Sequence, residues 1–210
     1  MLDEHILDNY MKAGSIANKV LEYYSKLVVP GASILDIIEK TEQKITELGA
    51  VSACPVTLSS NSIAAHDTAT INDPRKISDT DIVKADLAVM IDGCIADTAT
   101  TICLDPNHKD LKKTAKDAVD SAIKNAKPGT MTSEIGAIIE DIITSAGFQP
   151  IRNLTGHKLD IYKLHAGISI PNYDDGRKIE MEEGMVFAIE PFCTTGKGMI
   201  KESGSPIIFR

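Results

Sequence analysis

Pro30-Gly-Ala-Ser33-Ile-Leu-Asp36-Ile-Ile-Glu-Lys-Thr-Glu42-Gln-Lys-Ile45-Thr-Glu-Leu-Gly49 is the stretch on which the reading of this chain turns. Pro30-Gly31 breaks whatever comes before it. Ser33 suits a helix N-cap, with Asp36 at the capping-box position. Leu35, Ile38, Ile45 and Leu48 recur at helical spacing, with Ile34, Ile37 and Thr41 beside them and Glu42 as a polar break. Gly49 supplies the stop. The same plan returns further on. Pro-Gly at 128 and 129 stands as far before Gly147 as Pro-Gly at 30 and 31 stands before Gly49. At that constant offset Asp36 faces Glu134, Ile37 faces Ile135, Glu42 faces Glu140, Ile45 faces Ile143 and Thr46 faces Thr144.

A helix precedes each Pro-Gly. From about His5 to Leu27, the residues Ile6, Tyr10, Ala13, Ala17, Val20, Leu21 and Tyr24 form an apolar stripe; from about Asn107 to Lys127, Leu111, Ala115, Ala118, Val119, Ala122 and Ile123 do. Thr132 can cap the second copy of the later helix, which runs through Ile135, Ile138, Ile139, Ile142 and Ile143. Short β-prone runs follow each pair. Helix, Pro-Gly, helix, Gly, strands therefore occurs twice. Two amphipathic helix pairs can look alike by chance. The alternative is an α+β domain in which a pseudo-two-fold repeat of helix-helix-strands surrounds a shared antiparallel sheet, with halves of about 1–105 and 106–210. A site built on that sheet would draw ligands from both halves.

With 210 residues, 43% of them hydrophobic and 25% charged, the chain reads as globular and long enough to bury a core. Its net charge of −8 argues against a nucleic-acid or anionic-membrane surface. Four separated cysteines, with no C-x-x-C pair, fit thiols in a reducing compartment. The acidic N-terminus is no signal or transit peptide, and no apolar run approaches the length of a membrane span, about 20 residues. A soluble, cytoplasmic protein is expected.

Asp81-Ile-Val-Lys-Ala-Asp86-Leu-Ala-Val-Met-Ile91 reads as a strand, Asp92-Gly93 as a hairpin turn, and Cys94 to Cys103 as the returning arm. Pro55-Val-Thr-Leu58 and Met185 to Ile189 are further strands, and Pro206-Ile-Ile-Phe209 a last one. Most acidic residues lie on helix surfaces or in turns. Three do not: Asp86 and Asp97 sit inside the paired strands, and Glu190 ends Val186-Phe-Ala-Ile189. Each alone could be an edge-strand carboxylate facing water. Together they are costly unless paired or metal-bound. Counting outward from Asp92-Gly93 brings Asp86 and Asp97 near one another across the ladder, where like charges repel. A divalent cation removes the conflict. Asn153-Leu-Thr-Gly-His157 and His165-Ala-Gly put two histidines in what reads as irregular, glycine-flanked backbone. Three carboxylates and one imidazole suit manganese, iron(II), cobalt or zinc in a hydrolytic centre, commonly with two metals. A histidine off the metal can shuttle protons or hold substrate; His66 and His165 are candidates. His5 and His108 lie in helix-surface contexts and take no role.

The segments Pro55-Val-Thr-Leu-Ser, Ile63-Ala-Ala-His66, Val83-Lys-Ala-Asp86, Ile91-Asp-Gly-Cys-Ile-Ala-Asp97-Thr-Ala99, Asn153-Leu-Thr-Gly-His157, Tyr162-Lys-Leu-His165-Ala-Gly-Ile-Ser-Ile-Pro-Asn172 and Glu182-Glu-Gly-Met-Val-Phe-Ala-Ile-Glu190-Pro-Phe192 together resemble the type II methionine aminopeptidases of archaea and eukaryotes. The resemblance covers nearly the whole chain. It implies the pita-bread fold and removal of the initiator methionine from nascent polypeptides whose second residue is small. By motif match it implies Asp86, Asp97, His157 and Glu190 as ligands of two divalent ions (Co, Mn, Fe(II) or Zn). It also implies His66 and His165 as catalytic, substrate-contacting groups that stabilise the tetrahedral intermediate. Nascent N-termini are the implied partners, at the ribosome or away from it, with no nucleic acid or membrane, and the protein is expected to be a monomer.

Three departures stand out. The family's helical insertion, its last strands and a fifth ligand, a C-terminal glutamate, have no counterpart in these residues, so a truncated chain with an impaired second metal site is expected. Spacing from Glu190 would nominate Glu202, but the family pattern puts that glutamate in a turn without a ligand role. Cys54 stands where a phenylalanine usually lines the methionine pocket. Asp67-Thr-Ala replaces the more usual Tyr-Thr-Pro, and Met90 replaces a common non-ligand histidine. Two other readings compete: an X-Pro peptidase of the same fold, and a truncated, weakly active or non-catalytic pita-bread protein acting as a binding module.

Overall fold

The computed structural model describes residues 2–203 and 208, which fall into two compact units, 2–107 with 203 and 208, and 108–202. The expected strand from Pro206 to Phe209 lies outside the described residues.

The first unit opens with α1 (Glu4–Leu27), started by the Asp3 carboxylate, which accepts the His5 N–H at 2.9 Å. Its inner stripe is Ala13, Ile16, Ala17, Val20 and Tyr24, all buried. In α2 (Ile34–Glu47), Ser33 Oγ accepts the Asp36 N–H as expected. The buried stripe is Ile34, Ile37, Ile38, Thr41 and Ile45, so the apolar face is rotated from the expected one and Leu35 and Leu48 are only half-buried. The polar break has a purpose: Glu42 Oε1 accepts the Val56 N–H at 3.3 Å. After α2 come β1 (Val51–Ser52), β2 (Thr57–Ser60), β3 (Ile82–Ile91) and β4 (Cys94–Cys103). β3 pairs antiparallel with all three of the others. Val83, Ala85, Leu87 and Val89 of β3 join the core formed by α1, α2, Val56 and Leu58, each fully buried. The alternate residues Lys84, Asp86 and Met90 point to the other face.

The long connection between β2 and β3 is closed by Arg75. Its guanidinium grips Asp73 through Nε and Nη2 at 2.7–3.0 Å, Asp67 Oδ2 through Nη1 at 2.6 Å and the Thr68 carbonyl at 2.7 Å. The Arg75 fork, with backbone N–H donors of Arg75 and Thr70, holds the Asp73 carboxyl down at about 2.

The second unit carries α3 (Lys109–Asn125), α4 (Thr132–Ser145), β5 (Gln149–Pro150), β6 (Gly156–Leu159), β7 (Ser169–Ile170), β8 (Val186–Ala188) and β9 (Cys193–Thr194). β5 pairs with β9, and β6 lies between β7 and β8. The core is Ala118, Ala122, Ile135, Ile139, Ile143, Ile170 and Met181. α3 is shorter than expected because Pro106–His108 forms a 3₁₀ turn first. Its buried line is Thr114, Ala118 and Ala122, which leaves Ile123 on the flank, 58% exposed. Thr132 does not cap α4. It is the first helical residue and 1% exposed, and the Glu134 carboxylate reaches back to the Met131 N–H at 2.9 Å instead.

The repeat persists hydrogen bond by hydrogen bond. Gly31 N–H donates to Ile77 O and Gly129 N–H to Met181 O; Ile77 N–H donates to Ala32 O and Met181 N–H to Thr130 O. Ile34 N–H reaches Arg75 O and Thr132 N–H reaches Ile179 O, while Ala50 and Phe148 close their helices onto Ile45 O and Ile143 O. Gly49 and Gly147 both take left-handed φ, 79° and 84°. The halves thus share a backbone plan as well as a hydrophobic pattern. Among the described residues no helix is long and apolar enough to cross a membrane.

Two outcomes check this account. Ile139→Ala should lower the unfolding free energy by about 2–5 kcal/mol and Ile123→Ala by well under about 1 kcal/mol, read by urea denaturation. The depressed Asp73 carboxyl stabilises the fold above its unfolded pKa of about 3.9, and that stability is lost as pH falls through about 2. Asp73→Asn should therefore flatten the acid limb of stability against pH between about 4 and 2, where the wild-type chain loses stability steeply.

Candidate metal centre

In the first unit, the β3–β4 hairpin turns on Asp92 and Gly93 with φ of 47° and 85°, the pair of positive angles of a type I′ turn. Ile91 faces Cys94, and the register then sets Asp86 opposite Ala99 and Asp97 opposite Ala88. The two carboxylates share one face of the hairpin as diagonal neighbours rather than directly opposed ones, roughly 7–8 Å apart at the backbone. Both are half-buried. On the other side of β3, Asp86 faces Thr57. The Tyr24 hydroxyl donates to the Thr57 carbonyl at 2.8 Å. Burial raises the pKa of that hydroxyl first, and the Asp86 carboxylate raises it further, so it stays a donor. His66 is exposed, on the connection after β2, with φ of 64°.

In the second unit, His157 is not in irregular backbone. It belongs to β6, between Ser169 of β7 and Ala188 of β8, and is 7% exposed. A central strand position fixes the imidazole more rigidly than a loop would. Glu190 lies two residues past β8, and its Oε1 is 3.0 Å from His157 Nε2. Two ligand atoms each about 2.1 Å from one ion and roughly at right angles are separated by this distance, so the pair fits a shared divalent cation. The His165 ring lies 4.2 Å from the His157 ring, tilted by 42°. His165 itself is exposed, on a loop folded back onto β6 by Ala166 N–H to Lys158 O and Lys158 N–H to Ile168 O, both 2.8 Å.

Gly156 explains how Glu190 comes so close to β6. A Cβ there would sit 2.3 Å from the Ala188 carbonyl oxygen and 3.1 Å from the Glu190 nitrogen. The glycine in Thr-Gly-His reads as a loop signal in the sequence; in the fold it is a close backbone approach inside a sheet.

The strand registers of the two units correspond. Moving β1 and β2 forward by 98 residues and β3 by 104 turns Ser52 opposite Val89 into Pro150 opposite Cys193, and Ser59 opposite Lys84 into His157 opposite Ala188. The same shift turns Asp86 into Glu190. The two units hold one carboxylate each at equivalent places. Glu202, which spacing nominated, is exposed and in no strand. Cys54 is half-buried, and no disulfide joins any of the four cysteines.

Residues 8–205 match the profile of Metallopeptidase family M24. The chain is 48% identical over 204 residues to a methionine aminopeptidase of Pyrococcus abyssi, covering 97% of this chain and 69% of that one. It is 46% identical over 204 residues to one of Pyrococcus horikoshii, with the same coverage. Its fold superposes on the crystal structure of a methionine aminopeptidase from Thermotoga maritima with a TM-score of 0.87 at 25% identity, covering 94% of this chain and 83% of that one. The fold is the pita-bread fold, and the class it defines here is that of hydrolases dependent on divalent metals. The chain belongs to metallopeptidase family M24.

Gly156→Ala should push β8 and Glu190 away from His157. The expected result is a folded protein whose affinity for Mn²⁺ or Co²⁺, measured by calorimetry, falls at least about tenfold; unchanged affinity would deny this glycine a role in placing the ligand.

Proposed function

We propose that this chain is a metal-dependent aminopeptidase that removes the N-terminal methionine from nascent polypeptides whose second residue is small. Asp86, Asp97, His157 and Glu190 are its metal ligands, and His66 and His165 are its substrate-contacting groups. The observation that carries the reading is the pairing of buried His157 with half-buried Glu190, held 3.0 Å apart in a chain 48% identical to a methionine aminopeptidase.

The donor set, three carboxylates and one imidazole, favours manganese, iron(II), cobalt or zinc. When bound, such a cation supplies Lewis acidity, which polarises the scissile carbonyl and makes water nucleophilic at neutral pH. The chain's own side chains do the rest. The carboxylates balance the charge of the centre and fix its place on the strand faces. His157, locked into β6, presents Nε2 in one orientation. His165, in ring contact with His157 and open to solvent, can donate a hydrogen bond to the oxygen that becomes negative as the carbonyl is attacked. His66, on the connection after β2, holds the substrate and can pass a proton to the departing amine. The reading carries with it a cytoplasmic place of action on nascent chains.

Purified protein supplied with Mn²⁺ or Co²⁺ should release free methionine from a Met-Ala-Ser peptide, and EDTA should abolish the release. His157→Ala should lose bound metal by elemental analysis; retained stoichiometry would take His157 out of the ligand set, and no turnover by the loaded wild-type protein would sink the aminopeptidase reading.

A further inference from the structure

His66 takes a left-handed φ of 64°, a conformation uncommon outside glycine though more often adopted by histidine, asparagine and aspartate than by other residues. The backbone that follows it is tied on two sides. On the β2 side, Leu58 N–H donates to the Asp67 carbonyl at 2.8 Å, Asp67 N–H donates to Ser59 Oγ at 3.3 Å, and Thr68 Oγ1 donates to the Val56 carbonyl at 2.8 Å. On the far side stands Arg75. It binds the side chain of Asp67, the residue next to His66, at 2.6 Å, and the Thr68 carbonyl at 2.7 Å. Asp73 holds the guanidinium in register through both of its carboxylate oxygens. The Asp67 and Asp73 side chains are 12% and 3% exposed and Arg75 is 40% exposed, so the carboxylate ends of these charge-assisted bonds are shielded while the arginine keeps an edge in solvent. The Arg75 backbone is anchored in turn, because its carbonyl accepts the Ile34 N–H from the first turn of α2 at 3.1 Å.

We propose that Arg75, with Asp67 and Asp73, is a positioning clamp that sets the His66 imidazole for the reaction, transmitting the rigidity of α2 to the residue beside the histidine. Arg75 suits this task and lysine does not. A planar fork can meet Asp67, Asp73 and the Thr68 carbonyl at once, whereas an ammonium is a point charge. The clamp is part of the first unit alone. It rests on the assignment of His66 as a substrate-contacting group.

The experiment uses the full chain loaded with Mn²⁺ for kinetics, and the metal-free chain for NMR of the imidazole signals. Asp67→Ala keeps the Arg75–Asp73 pair and the Leu58–Asp67 backbone bond and removes only the arm next to His66. It should lower kcat on Met-Ala-Ser about ten- to a hundredfold with KM nearly unchanged, as expected for a misplaced catalytic group. It should shift the His66 imidazole signals, leave those of His157 in place and leave metal stoichiometry intact. Added to His66→Ala, it should cost nothing further, because it acts through that ring. Arg75→Met should reproduce Asp67→Ala, and Arg75→Lys should not rescue it; if Arg75→Met does not fold, Asp67→Ala decides alone. A folded Asp67→Ala with wild-type kcat, unmoved His66 signals, or a loss that adds fully to that of His66→Ala would overturn the clamp. Absence of turnover in the wild-type protein would instead overturn the aminopeptidase reading, and the imidazole signals would still decide whether the clamp holds the ring.

Discussion

Negative charge that must be held still on a strand face is the constraint the rest of this structure answers. Asp86 and Asp97 share one face of a hairpin, and the Asp92-Gly93 turn makes their diagonal spacing unavoidable. Once Ile91 faces Cys94, every other pair in the ladder is set, and a slip of β4 by one residue would turn Asp97 to the face of Val83, Ala85, Leu87 and Val89 and part it from Asp86. The fully buried opposite face locks the register. The apolar packing of α1 and α2 is therefore what keeps the acidic face in place.

The second unit meets the same need with less secondary structure. Its strands are two to four residues long, yet its registers correspond to those of the first unit, with Glu190 in the place of Asp86 and His157 in the place of Ser59. A hydroxyl that holds a loop in one half, where Ser59 accepts the Asp67 N–H, is replaced in the other half by the His157 imidazole beside Glu190. The repeated backbone has kept its hydrogen bonds while the chemistry of its side chains diverged. One backbone plan thus carries a carboxylate at equivalent places in both halves and, at the position of Ser59, an imidazole in one.

Several features escaped the linear reading for identifiable reasons. Glycine beside a histidine resembles a loop, but Gly156 is small because β8 passes within touching distance, a fact about Ala188 and Glu190, far along the chain. Thr132 looked like a cap because its type favours that position; its alignment with Ile34 in the repeat argues otherwise, and the fold places it in the buried first turn. Ile123 belongs to an apolar stripe by spacing, but the helix rests on Thr114, Ala118 and Ala122, whose small side chains allow close approach to α4. The Arg75 cluster left no trace in the periodicities, since its members are scattered along an irregular connection.

Sequence by itself determined the four helices and their order, the doubling of the plan, the hairpin with its two aspartates, and the residue types able to hold a divalent ion. These are local matters: periodicity, turn chemistry and residue type act within a few residues of one another. Tertiary structure alone decided which face of each helix is buried, that His157 is a strand residue 3.0 Å from Glu190, that His165 lies against it, and that Arg75 reaches Asp67. Those depend on contacts between residues far apart in the chain, where packing, not spacing, sets the geometry.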